Sequence, residues 1–337
     1  KKTVIKLSSN ENPYGASPKA IELLETKNIN HDLNRYPEID GSSLREAIAK
    51  NFSIDSNRII LGSGSDEVLL FAALAFCQDG DEILHANHGF EMYSIVSKVV
   101  GAVPKKIKED VNFNLNIENL IDQTNDATKV IYIASPNNPT GTYLSRDQLV
   151  KLMNSISKNI IVVIDGAYVE YVQKDDYDKG FSLTDEYENI ILTRTFSKTY
   201  GLAALRVGWC YTSQKIADII NKIKPPFNTT TISQSLAIKA LEDKEHIENS
   251  VKLNSEIKDW FEKELKLLNI KTRQTEGNFT LIETSEEEAE KISNHLMNDG
   301  IIIRRLNSYN LPNFLRISIG TKEEMNLTVE SLKKFNV

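Results

Sequence analysis

Thr193–Gly208 reads T-R-T-F-S-K-T-Y-G-L-A-A-L-R-V-G, and its reading decides the fold. It follows Ile190-Ile191-Leu192, an apolar run with the character of a buried strand. The chain then breaks into hydroxyl residues, one lysine, two glycines and an arginine. Lys198 stands between Ser197 and Thr199, with Thr195 just before and Arg206 eight residues on. A lysine at the end of a buried strand can lose its proton, because desolvation disfavours the charged form. The neutral amine is then the nucleophile that captures aldehydes and ketones. Hydroxyls and a forked guanidinium are the donors a phosphate dianion takes. As an isolated pair, Ser197-Lys198 is more commonly a surface lysine in a polar loop.

Neighbouring stretches extend that chemistry. Ile160–Ile164 is five consecutive β-branched residues, the mark of a strand buried on both faces. It ends at Asp165, with Tyr168 three further on. A carboxylate there either caps a turn or meets a cation, since an unpaired buried charge is costly. A protonated pyridine is one such cation, and an aldehyde bearing a pyridine ring and a phosphate is pyridoxal phosphate. Val130–Ala134 runs into Ser135-Pro136-Asn137-Asn138-Pro139-Thr140-Gly141, a turn at a strand's C-terminal end, where parallel sheets place ligands. The amide of Asn138 can donate to a phenolate oxygen. Ile59-Ile60-Leu61 feeds Gly62-Ser63-Gly64-Ser65-Asp66-Glu67 and a helix from Val68 to Phe76. Backbone N–H groups at such a turn make a phosphate cradle, or the string is plain capping with Ser65 as N-cap. A dinucleotide fingerprint fails, because Glu67 occupies its third glycine position.

The run T-x-S-K-x-Y-G-L-A-x-L-R-V-G resembles the Schiff-base segment of fold-type I aminotransferases, most closely their histidinol-phosphate aminotransferase branch. The motifs stand in family order from Ile5 to Gly320. The resemblance implies an α/β fold, with a large domain of mostly parallel sheet flanked by helices and a smaller α+β domain. Pyridoxal 5'-phosphate is the implied cofactor, with Lys198, Asp165 and Tyr168 as catalytic residues. Asn138 and Tyr168 would meet the ring oxygen, and the ring of Tyr93 would stack on the pyridine. Ser65, Asp66, Glu67, Thr195, Ser197 and Arg206 would surround the phosphate. Tyr36 would reach the phosphate held by the other subunit, which implies a homodimer. Tyr14, Asn138, Arg304 and Arg316 would bind substrate, the two arginines at its anionic end. The implied reaction moves an amino group between a phosphorylated amino donor, histidinol phosphate, and 2-oxoglutarate. An aromatic-amino-acid transaminase and a phosphoamino-acid decarboxylase share the fold and stay open as alternatives. A cofactor-sensing module without turnover is a third, disfavoured by the lack of an attached basic DNA-binding segment. One departure is D-G-A-Y at 165–168, where relatives often carry Glu or Ala instead of Gly166.

From the residues themselves, Arg316 alternates with Leu315 and Ile317, so it faces away from their apolar side and needs an anionic partner, internal or bound. Strands near 59, 83, 131, 160 and 189 alternate with helices, which predicts parallel βαβ units. After Pro225-Pro226 a helical region runs from about Ser233 to Leu268 with a break. A different alternation follows: strand 279–282, helix 286–298, strands 301–304 and 314–319, helix 322–335. The expected division is 31–240 for the larger domain, with 1–30 and 241–337 for the smaller. Capping boxes are expected at Ser43/Glu46, Ser145/Gln148, Ser285/Glu288 and Thr321/Glu324.

With 337 residues of which 40% are hydrophobic, the chain can bury a large core. A net charge of −7 without clustered Lys/Arg argues against nucleic acid as a partner. No apolar run approaches the roughly 20 residues of a membrane span. Cys77 and Cys210 sit in apolar surroundings and read as reduced core thiols, so the cytoplasm is the expected compartment. The opening Lys1–Lys6 carries no signal-peptide-like apolar stretch. His85 and His88 lack a third ligand, and His31, His246 and His295 are scattered, so no metal site is expected.

Overall fold

β1 (Ile5–Leu7) belongs to the smaller of two sheets, and the chain then builds the larger. Its strands are β2 (Ile59–Gly62), β3 (Glu82–Ala86), β4 (Val103–Ile107), β5 (Thr128–Ala134), β6 (Ile161–Asp165), β7 (Ile190–Thr195) and β8 (Gly208–Thr212). This computed structural model describes residues 4–25 and 34–335; the expected domain boundary at 30/31 and His31 lie outside them. Among the described residues the larger sheet runs β2-β8-β7-β6-β5-β3-β4. Neighbours are parallel except around β8, which is antiparallel to both β2 and β7. β6 shows why the sheet is covered twice: Val162 and Ile164 enter one apolar cluster, Ile161 and Val163 the other.

All five strands expected for this sheet are present, and two more join them. β4 is an edge strand reading V-P-K-K-I, whose proline and lysines suit an exposed edge but hide a strand signal. β8 (G-W-C-Y-T) is buried throughout and returns the chain antiparallel after the Lys198 loop. Ala134, Asp165 and Thr195 are the last residues of β5, β6 and β7, so the parallel strands present them at one edge.

The smaller sheet adds β9 (Lys271–Arg273), β10 (Phe279–Glu283), β11 (Ile301–Leu306) and β12 (Leu311–Ser318), in the order β1-β11-β12-β10-β9. β1 lies parallel to β11, and the other pairs are antiparallel. Ile5, Leu7, Leu315 and Ile317 pack with Phe261, Leu296 and Leu332 from the three helices on that side. The expected helical region divides into Thr231–Leu241 and Lys244–Leu267, and Asp243 at the break caps the second helix.

The capping expectations divide. Ser145/Gln148 and Thr321/Glu324 form complete boxes. Ser285 accepts from the backbone of Glu288, whose carboxylate instead takes the hydroxyl of Thr284. Ser43/Glu46 makes no box. Gly41 caps that helix with left-handed backbone (φ 61°), and Glu38 accepts from Ser43 N at 2.8 Å and from the hydroxyls of Ser42 and Ser43. The Ser43 bonds hold the Glu38 carboxyl below its usual range. Ser65 is likewise the first residue of its helix, and Gly64 (φ 80°) is the N-cap.

Candidate active site

Asp165 is buried at the end of β6, on the floor of a cavity lined also by Ser65, Asp66, Phe90, Asn138, Tyr168, Thr195, Ser197, Lys198 and Arg206. Its Oδ1 accepts from Thr193 Oγ1 at 2.8 Å, and its Oδ2 from Tyr93 Oη at 2.9 Å. Burial pushes the carboxyl pKa up, and the two hydrogen bonds oppose that. Among the described residues no ion pair includes it. A buried carboxylate held by two neutral donors still wants a cation.

Tyr93 therefore serves another place than expected. Its ring is buried and lies flat against Tyr132, with centroids 5.0 Å apart and planes at 2°. Burial first, then Asp165, pushes its phenol well above the usual range. From this segment it is Phe90 that lines the cavity, edge-on to Tyr93 at 5.9 Å. Phe90 precedes the helix Glu91–Val99, and Tyr93 lies inside its first turn, which carries the tyrosine beneath the sheet edge.

Lys198 projects from a loop nailed down on both sides. Phe196 and Tyr200 are buried, with ring centroids 4.8 Å apart, and Ser197 and Thr199 between them are buried as well. Lys198 is half-buried, and its Nζ donates to Ser9 O at 3.1 Å, 5.7 Å from the centre of the Tyr168 ring. Tyr168 Oη accepts from Asn10 Nδ2 at 3.0 Å.

At the far side of the cavity, the start of the helix Ser65–Phe76 meets Arg206. Arg206 adopts φ 50°, uncommon for a side-chain-bearing residue. Its guanidinium donates to Ala203 O at 3.0 Å and Ser197 Oγ at 3.3 Å, and lies 3.4 Å from Asp66 Oδ2. A Cβ on Gly64 would overlap that guanidinium, and one on Gly208 would overlap Ser65 N. The turn closes this tightly because both positions are glycine. Glu67 does not join it: its Oε2 accepts from Ser63 N and Asn228 Nδ2, each at 2.6 Å, so it braces the turn from behind.

Of the two partners left open for Arg316, an internal carboxylate is not found among the described residues. Arg316 is buried, and its hydrogen bonds go to Asn138 Oδ1 and to Ser8 O at 2.7 Å, both neutral acceptors. Its Nε has no partner, and burial pushes the guanidinium below its usual value. Arg304 stands opposite it in the β11/β12 register but is exposed, 3.8 Å from Glu91 Oε2, and is not among the cavity's lining residues. Tyr14 is not among the cavity's lining residues; it packs on the smaller sheet's core, where burial, then Glu324 and Glu256, raise its phenol. Tyr36 is 81% exposed, stacked on Phe227 at 4.6 Å, and also lies off this chain's own cavity.

Phe90, Thr193 and the backbone of Ser8 and Ser9 escaped the sequence reading. Thr193 had a signal: two residues before Thr195, it shares that face of β7. The others had none, since they act through proximity. Pyridoxal phosphate fits the residues present: Asp165 lacks a cation, the Gly64–Ser65 turn with Arg206 offers donors to an anion, and Lys198 lies between them. Among the described residues no group of three or more His, Cys, Asp or Glu side chains could hold a metal, and no helix is long and apolar enough to cross a membrane.

The family profile described as aminotransferase class I and II matches residues 2–332. A Dinoroseobacter shibae protein named histidinol-phosphate aminotransferase is 40% identical over 334 residues, covering 99% of this chain and 91% of its own. A Pelagibacter ubique protein of the same name is 39% identical over 339 residues, covering 99% and 93%. Among solved structures, histidinol-phosphate aminotransferase from Sinorhizobium meliloti in complex with pyridoxal-5'-phosphate superposes with TM-score 0.91 at 23% identity, covering 99% and 92%. The Clostridium acetobutylicum enzyme of that name gives 0.88 at 22% identity, covering 99% of each chain. At such identities the superpositions speak for the fold alone.

Proposed function

The chain belongs to the class I and II aminotransferases, and from that premise we propose that it moves an amino group between histidinol phosphate and 2-oxoglutarate, with pyridoxal phosphate as cofactor. The observation that carries the substrate reading is Arg316, a buried guanidinium with only neutral acceptors and a free Nε beside the cavity. Both the phosphorylated donor and 2-oxoglutarate bring an anionic end to satisfy it. Near-full-length relatives carrying the histidinol-phosphate name favour that donor over an aromatic amino acid.

Pyridoxal phosphate, when bound, supplies a carbonyl carbon and a protonated ring that withdraws electrons from the substrate's Cα. Asp165 holds the proton on the ring nitrogen, and Thr193 and Tyr93 hold Asp165. Tyr168 and the amide NH2 of Asn138 would donate to the ring oxygen, with Phe90 lining the same cavity. Ser65, Thr195, Ser197 and Arg206 take the phosphate oxygens, each charge-assisted bond contributing about 1.5–3 kcal/mol. Asp66, beside Arg206, orients that guanidinium. Lys198 would hold the cofactor's carbonyl carbon until the substrate's amine replaces it, and its freed Nζ would then move the proton to and from the substrate's Cα. Arg316 grips the substrate's anionic end, and Arg304 leaves Glu91 to share it. In this reading the active form is a cytoplasmic homodimer in which Tyr36 serves the partner's cofactor phosphate. The part of the chain around the smaller sheet then closes over the substrate; Ala20 and Leu23, expected in that unit as part of 1–30, pack in the larger sheet's core instead.

An amino-donor panel with 2-oxoglutarate, scored by glutamate formation, tests this. Histidinol phosphate is expected to give the highest rate, and Lys198→Ala to abolish it. A higher rate with phenylalanine identifies an aromatic transaminase, and carbon dioxide release without a keto acid identifies a decarboxylase.

A further inference from the structure

The N-terminal segment touches residues of the site at successive positions. Ser8 O accepts from Arg316, Ser9 O from Lys198, and Asn10 Nδ2 donates to Tyr168 Oη at 3.0 Å. Asn10 is 1% exposed and has left-handed backbone (φ 56°), a conformation kept where the surroundings demand it. Which way its amide faces follows from its neighbour. Asn10 N donates to Ser318 Oγ at 2.8 Å, and Ser318 is itself buried. The proton of Ser318 needs an acceptor, and Asn10 Oδ1 lies 2.8 Å away. Turning the amide over would aim two donors at one hydroxyl and leave that proton unplaced. The NH2 group therefore faces Tyr168.

Because the Tyr168 phenol oxygen accepts from Asn10, its O–H is directed away from Asn10. Tyr168 lines the cavity, so that is where the proton goes. We infer that Asn10 is a positioning residue for the aminotransferase reaction: it makes Tyr168 a hydrogen-bond donor to the cofactor's ring oxygen. The inference rests on the reading above, in which that oxygen lies at Tyr168. A donor on the ring oxygen draws electron density from the bound chromophore, which then holds its titrating proton less tightly.

The test is a spectrophotometric pH titration of the cofactor-loaded protein without substrate. Asn10→Gly tolerates the left-handed backbone and removes the amide. It is expected to raise the midpoint by roughly half a pH unit or more, in the same direction as Tyr168→Phe. In a Tyr168→Phe background Asn10→Gly should shift it no further. Ser318→Ala, which leaves Asn10 in place but frees its amide, should give a smaller shift of the same sign and serves if Asn10→Gly does not fold. An unmoved midpoint in both Asn10→Gly and Ser318→Ala, or an equal shift with and without Tyr168, overturns the inference while leaving the aminotransferase reading intact. A wild-type chain that forms no chromophore, or a Tyr168→Phe variant with an unmoved midpoint, overturns the placement of the cofactor and the inference with it.

Discussion

The guanidinium of Arg194 occupies the space in which a side chain at position 166 would begin. A Cβ on Gly166 would overlap Arg194 Nη1, and the backbone O of Thr193 lies only 3.2 Å from it. Arg194 is 4% exposed and bonded to Thr193 O at 2.7 Å and to Lys179 O, so it has no open route aside. The departure D-G-A-Y is thus a packing relation: the glycine next to Asp165 makes room for an arginine two strand positions from Phe196. Gly166→Ala is expected to destabilise the chain by about 1–3 kcal/mol through overpacking. Denaturant melts of the cofactor-free protein measure this, and an unchanged midpoint would refute the steric account.

Asp165 provides a pH prediction. Its carboxyl binds a proton more readily in the folded chain than in the unfolded one, because burial dominates. Its contribution to stability is therefore present at low pH and lost as pH rises through the raised value. Without cofactor, Asp165→Asn should be more stable than wild type at neutral pH, with the gap closing below about pH 4. Adding pyridoxal phosphate should raise the wild-type melting temperature more than the variant's, since the ring cation then has its partner. A variant less stable than wild type across the whole range would contradict this.

Arg316 should trade stability for binding. In Arg316→Met the substrate's anion loses its buried partner, a change of about 2–4 kcal/mol, which is roughly 30- to 700-fold in KM. The same variant removes a buried cation with an unbonded Nε, so thermal melts of the substrate-free protein should show no loss of stability. Arg304→Met, at an exposed position, should raise KM far less.

Arg206→Met addresses the phosphate cradle. Loss of one charge-assisted contact, about 1.5–3 kcal/mol, weakens cofactor affinity by roughly 10- to 150-fold. Equilibrium dialysis of pyridoxal phosphate measures it, and binding within threefold of wild type would place the phosphate elsewhere.

The residues that were legible early are those whose chemistry and strand position coincide. Asp165 ends a run of β-branched residues, Lys198 follows another apolar run, and Ser65 opens a helix after a glycine turn; each faces the cavity. Tyr93 and Glu67 carry the right chemistry at nearly the right place, yet one helical turn sends the first beneath the sheet and a Ser63–Asn228 bracket turns the second away. β4 and β8 stayed hidden because their signals compete: lysines and proline in one, a short aromatic run beside the lysine loop in the other.

Local sequence determined the parallel strands, most helix ends and the chemical types gathered at the strands' carboxyl edge, because burial patterns and caps are set within a few residues. Only the tertiary structure decided what each group meets. Asn10 and Tyr168 are 158 positions apart, and Arg316 and Asn138 are 178 apart. Hydrogen bonds over such separations depend on how two sheets and an N-terminal segment come together, which no local pattern encodes.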